Sequence, residues 1–266
     1  MKLGFIGGGN MAQATIAAVL RAGLAQRDNV RVSEPDEARR TACRHLGVIA
    51  AWDNAAVAAG ADIVILAVKP QVMAEALRSM AASGQPPSAL LVSIAAGITT
   101  RWIEAQVPGA RVVRVMPNTP LTVGAGVSVV CRGSRANDAD ETVVRRIFES
   151  GGVTLALPED QFDAVTAVSG SGPAYFYELV ECLSAAGAAE GLAPQAAELL
   201  ARQTLIGAAR LLEASGASAA QLRAAVTSPA GTTAAALESL DRSGFADIIR
   251  RAVQCAAARG AELARG

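Results

Sequence analysis

Lys2-Leu3-Gly4-Phe5-Ile6-Gly7-Gly8-Gly9-Asn10-Met11-Ala12 opens the chain, and its reading decides the fold of the first half. A short β-prone apolar run passes straight into glycines, and a helical pattern follows from about Asn10 to Ala22. Gly7, Gly9 and Ala12 fit G-x-G-x-x-A. In that pattern the first small residue allows a tight turn. The second lets backbone approach a pyrophosphate, and the third lets helix pack closely on strand. The helix then offers free N–H groups and a positive dipole end to the phosphates. A strand–helix turn without ligand is the plainer alternative. A second strand, Val30–Ser33, completes the unit and ends at Glu34, 25 residues after Gly9. A carboxylate there usually accepts from the adenosine ribose 2′-OH and repels a 2′-phosphate. Arg39 and Arg40 follow closely enough to offset the repulsion. The turn therefore implies NAD(P)H, with the preference between NADPH and NADH open.

Outward from this unit the alternation continues. Asp36–Leu46 reads as a helix, and Ile63–Val68 as a strand buried on both faces of a parallel sheet. Leu90–Ile94, Val112–Met116 and Val127–Cys131 supply three more strands. Strands alternating with helices define β-α-β units. After about Leu157 strand signals stop, and Ala-rich amphipathic stretches run to the end. The expected division is a dinucleotide-binding domain over 1–158 and an all-helical domain over 159–266. The composition agrees, being 52% hydrophobic and only 3% aromatic, so alanine and aliphatic side chains make the core.

The charges exclude several classes. Lys and Arg number 24, as do Asp and Glu, without a block of one sign, which gives no footprint for nucleic acid or an anionic membrane. The N-terminal apolar run is too short for a signal-peptide core, and no run approaches membrane-spanning length. Cys43, Cys131, Cys182 and Cys255 are dispersed, as reduced thiols of a cytoplasmic protein would be. With His45 the single histidine, a metal site is not expected.

The same scarcity constrains the chemistry. His45 reads as a surface residue, and the two lysines, Lys2 and Lys69, both fall in the first half. The helical half must work with hydroxyls, backbone amides, carboxylates or arginine. A substrate that arrives activated, such as a protonated imine, needs little more. A reductase of hydroxy acids is disfavoured on this ground, and a cofactor sensor without turnover is a rival of another class. Ser228-Pro229-Ala230-Gly231-Thr232-Thr233 begins a helix in the tail. It reads equally as an anion site at a helix N-terminus or as a plain helix start with Ser228 as cap and Pro229 in the first turn.

Over its whole length the chain resembles the pyrroline-5-carboxylate reductase family. The residues that carry the resemblance are Gly4–Ala12, Ala67-Val68-Lys69-Pro70-Gln71 and Ser93-Ile94-Ala95-Ala96-Gly97-Ile98. Arg114-Val115-Met116-Pro117-Asn118-Thr119-Pro120, Val168-Ser169-Gly170-Ser171-Gly172-Pro173-Ala174-Tyr175 and Val226–Thr233 complete it. The resemblance implies a Rossmann-like, mostly parallel sheet domain followed by a helical dimerisation domain. It implies NAD(P)H-dependent reduction of L-1-pyrroline-5-carboxylate to L-proline, by hydride transfer to the cyclic imine carbon. By matching position Ile6, Gly7, Gly8, Gly9, Asn10 and Met11 would hold the pyrophosphate. Asn54, Ala67, Val68, Lys69, Pro70, Ile94, Ala95 and Ala96 would line the rest of the groove. Gly231, Thr232 and Thr233 would hold the substrate carboxylate, with Ser228 and Thr233 the catalytic hydroxyls and Thr233 near the ring nitrogen. The turn would come from the partner subunit of a homodimer that assembles into decamers. Two positions depart from the family. Ala230 stands where glycine is usual, tolerable if φ is negative, and Glu34 replaces a small hydroxyl residue. Glu159 matches a possible substrate-side carboxylate, although an acid at a helix start has a structural explanation already.

Overall fold

The computed structural model describes residues 1–80 and 89–265. They form two compact units, Met1–Ser171 together with the residues from Cys255 onward, and Gly172–Gln254. The strands of the first unit are β1 (Leu3–Ile6), β2 (Val30–Ser33), β3 (Ile49–Ala51), β4 (Ile63–Leu66), β5 (Leu90–Ser93), β6 (Val112–Met116), β7 (Gly126–Arg132) and β8 (Gly152–Ala156). They make one sheet in the order β3-β2-β1-β4-β5-β6-β7-β8. Every pairing is parallel except β6 with β7.

The interleaved helices are α1 (Asn10–Arg21), α2 (Glu37–His45), α3 (Asn54–Ala59), α4 (Met73–Met80), α5 (Thr100–Gln106), α6 (Asp138–Glu149) and α7 (Phe162–Val165). The apolar run of β4 shows why helices cover both faces. Ile63 and Ile65 join a core with Phe5, Ile16 of α1 and Phe148 of α6. Val64 and Leu66 join another with Met73 and Leu77 of α4 and Ile103 of α5. Each such aliphatic side chain contributes about 1.5–3 kcal/mol on full burial.

Strand order reverses between β1 and β4, and open sheets of this kind bind ligands in the crevice at that point. The six expected strands are present. β3 and β8, the two edge strands, were not legible as strands.

The second unit is helical: α8 (Gly172–Ala189), α9 (Pro194–Ser215), α10 (Ala219–Ala225), α11 (Thr232–Arg242) and the start of α12 (Phe245–Arg265). α8 packs on α9, and close approach needs small residues. A Cβ at Gly187 would sit 3.3 Å from the Cβ of Ala197. Much apolar surface of this unit stays exposed, including Phe176, Tyr177, Leu183, Leu211 and Ile248. No helix among the described residues is long and apolar enough to cross a membrane.

Candidate active site

At the carboxyl end of β1, Gly7 takes φ +100°, and its N–H donates to the carbonyl of Ser33 at 2.8 Å. A Cβ at Gly7 would stand 2.6 Å from the carbonyl oxygen of Ala67, so only glycine fits. Gly9 is the N-cap of α1, with no side chain capping the helix and no acid in its first turn. A Cβ built there meets nothing within 4 Å, which leaves the helix start open for a ligand. Ala12 is buried in the core, where the motif needs a small residue.

Two adjoining cavities of about 580 and 570 Å³ lie on this turn and share Gly7, Pro35, Val68 and Val72. The first brings together Gly7, Gly9, Asn10, Met11, Glu34, Ala67, Val68, Lys69, Pro70, Ile94, Ala95 and Ala96. Ile6 and Asn54 line the second, with Trp52 and Ser33. Gly8 lines neither cavity; its N–H donates to Oε2 of Glu34 at 2.7 Å. Glu34 is therefore a buried side chain, and its Oε1 accepts from the N–H of Asp36 at 3.0 Å. Asn54 donates through Nδ2 to Ser79 Oγ at 2.7 Å. His45 ends α2 on the surface.

The residues present fit a dinucleotide. The open helix start at Gly9 suits its pyrophosphate. Ser33 Oγ is the one buried side-chain polar atom without a hydrogen-bond partner among the described residues, and it lines the second cavity. A buried hydroxyl left unpaired is costly unless a ligand satisfies it.

Glu159 does not start a long helix. It opens a short 3₁₀ turn (Glu159–Gln161), and its carboxylate accepts from the N–H of Thr100 at 2.8 Å and from Thr100 Oγ1 at 2.7 Å. It serves the first turn of α5 as a helix-start acid, on another helix than its own. The buried Arg114 pairs with it at 3.1 Å and lies 4.7 Å over the ring of Phe162. Burial, with a contribution from Glu159, pushes the neighbouring Cys131 thiol up to about 12.

Asn118 was missed as a structural hub. Its Nδ2 donates to the carbonyl of Ser169 at 3.2 Å, and its Oδ1 accepts from the N–H of Val127 at 3.0 Å. Ser169 lies in a π-helical turn, Thr166–Gly170. A Cβ at Gly170 would come 2.6 Å from Met116 Cε. Two motifs that share no obvious sequence logic are thus tied together at one place.

In the second unit, the tail motif differs from a plain capped start. The helix begins at Thr232, Gly231 is its N-cap with no side-chain cap bond, and its N–H donates to the carbonyl of Ser228 at 3.1 Å. A Cβ at Gly231 would overlap Ser228 Oγ. Ala230 has φ +56°, so the condition for tolerating its Cβ is not met and the residue sits in the left-handed region. Thr232 and Thr233 open α11 beside backbone N–H groups that the helix leaves unpaired.

A doubly wound sheet with a glycine turn at its switch point, followed by a helical unit, defines the nicotinamide-dinucleotide-dependent oxidoreductases with a helical partner domain. Residues 2–97 match the family model described as NADP oxidoreductase, coenzyme F420-dependent, and residues 159–263 match pyrroline-5-carboxylate reductase dimerisation. A pyrroline-5-carboxylate reductase of Mycobacterium leprae is 41% identical over 98% of this chain and 96% of its own, and one from Synechocystis 37% over 100% and 99%. Among solved structures, the Plasmodium falciparum pyrroline carboxylate reductase with NADP bound has a TM-score of 0.88 at 31% identity, covering 99% of this chain and 98% of its own. The Coxiella burnetii enzyme has 0.90 at 33%, covering 98% of each. The chain belongs to the pyrroline-5-carboxylate reductase family. It is a homo-oligomer acting on a small molecule.

Proposed function

We propose that this pyrroline-5-carboxylate reductase, which reduces L-1-pyrroline-5-carboxylate to L-proline with NAD(P)H, divides the work between residues 1–158 and 159–266. The first part binds the cofactor and the second binds substrate and makes a homodimer that assembles further to a decamer in the cytoplasm. The observation that carries the reading is the glycine turn, open at Gly9, on the cavities lined by the cofactor-matching residues. The N–H groups of α1 hold the pyrophosphate, and Ala67–Pro70 with Ile94–Ala96 enclose the groove toward the nicotinamide. When bound, the reduced nicotinamide supplies the hydride for the imine carbon. The N–H groups at Gly231–Thr233 hold the substrate carboxylate, supported by Ser228, and the Thr233 hydroxyl orients the ring nitrogen. No residue need donate a proton to the ring nitrogen, because the imine arrives protonated there and hydride addition to carbon leaves the neutral amine. Orientation and exclusion of water then lower the barrier by several kcal/mol.

The test is consumption of reduced cofactor, followed by absorbance, with and without pyrroline-5-carboxylate. Substrate-dependent oxidation with proline as product is expected. Binding of cofactor without turnover would refute the reading in favour of a sensor. Thr233→Ala is expected to lower kcat by about 10²-fold while cofactor affinity is kept; equal loss of both, or no loss, would remove Thr233 from its role.

A further inference from the structure

We infer that Glu34 makes this enzyme select NADH over NADPH, an inference that rests on the cofactor reading of the glycine-turn cavities. Glu34 lines the cavity that the glycine turn opens on, yet only 4% of the residue is exposed. Its carboxylate is held by the N–H groups of Gly8 and Asp36, at 2.7 and 3.0 Å. Its stem lies against the same turn, since a Cβ at Gly8 would be 3.2 Å from Glu34 Cβ. To swing aside, the side chain must abandon both bonds and leave the buried Gly8 N–H unpaired. The carboxylate therefore stays where the second strand ends, with lone pairs left to accept from a ribose diol and a charge that repels a phosphate on it.

The surrounding cations do not reverse this. Arg40 binds the carboxylate of Glu37 and the carbonyls of Glu34 and Pro35. Arg39 lines the cavity, but its Nη1 already stands 4.0 Å from Glu34 Oε1. No Ser, Thr or Tyr is found among the described residues lining that cavity, and the unpaired Ser33 hydroxyl lines the adjoining one. A phosphate monoester takes its grip from hydroxyls, backbone N–H groups and unshared arginines. A ribose diol asks only for an acceptor, which Glu34 supplies.

The test is calorimetric titration of the substrate-free full-length protein with NADH and with NADPH. The native protein is expected to bind NADH at least about tenfold more tightly, the scale of a like-charge contact near a protein surface. Glu34→Gln, which keeps an acceptor for the Gly8 N–H, should bring the ratio of the two affinities toward one. Equal or tighter binding of NADPH by the native protein overturns the inference, as does an unchanged ratio in Glu34→Gln. The native ratio decides even if the variant fails to fold. If neither nucleotide binds, the cofactor reading falls and the inference with it. If NADH binds selectively but pyrroline-5-carboxylate does not oxidise it, the selectivity stands and the assigned reaction falls.

Discussion

Single residues carry much of what distinguishes this chain. Ala230 holds a left-handed conformation in the turn before α11, which costs an L-residue about 1–2 kcal/mol. Ala230→Gly should remove that cost, less about 0.5–1 kcal/mol for the freer unfolded chain. The variant is expected to gain about 0.5–1 kcal/mol in denaturant unfolding; a loss would mean that the Cβ makes contacts worth more than the strain. Gly7 was legible from the letters alone because its neighbours in sequence named its job. Ala230 was not, since φ at one residue depends on how the turn closes through Gly231 and Ser228. Glu34 was half legible: its place at the strand end followed from spacing, whereas its burial under the glycine turn needed the third dimension.

At the level of elements, the long buried strands announced themselves and the edges did not. β4 is a continuous apolar run because helices cover both its faces. β3 has three residues, and β8 exposes Val153 and Leu155, so neither shows the pattern of a buried strand. Arg114 sits fully inside β6, against any expectation for a charged residue in a central strand. Its presence is explained by Glu159 and Phe162, 45 and 48 residues away in sequence. This group joins β6, the start of α5 and the turn before α7. Glu159→Ala should therefore destabilise the first unit by about 3 kcal/mol, because it leaves a buried arginine unpaired. Glu159→Gln, which still accepts from Thr100, should cost less. Thermal unfolding of both variants checks this, and a surface-like loss below about 0.5 kcal/mol would refute it.

For the molecule as a whole, the helical unit leaves many large apolar side chains exposed, Phe176, Tyr177, Leu183, Leu211 and Ile248 among them. They have a ready explanation in the dimerisation family that residues 159–263 match. The melting temperature should accordingly rise with protein concentration, as association linked to folding requires. Light scattering at micromolar protein should give a multiple of 27.0 kDa. A monomer at that concentration, or a melting temperature independent of it, would contradict an interface on these faces. The glycine turn and the hydroxyl-rich tail could be read from sequence because each is a local motif. The link from Asn118 to Ser169 could not, since it joins motifs 51 residues apart through a side chain whose partner only the fold reveals.

The chain leaves the nucleotide-binding unit after Ser171 and comes back to it at Cys255, in the latter part of α12. There the helix backbone at Gly260 runs beside Asp163, where a Cβ would come 3.2 Å from the Asp163 Oδ1. For anyone dissecting the protein, the helical unit is thus an insert with two joints, and no single cut releases it. A chain ended at residue 171 would lack the helical segment that closes the sheet unit. A sheet unit made on its own must carry the segment from Cys255 onward together with residues 1–171.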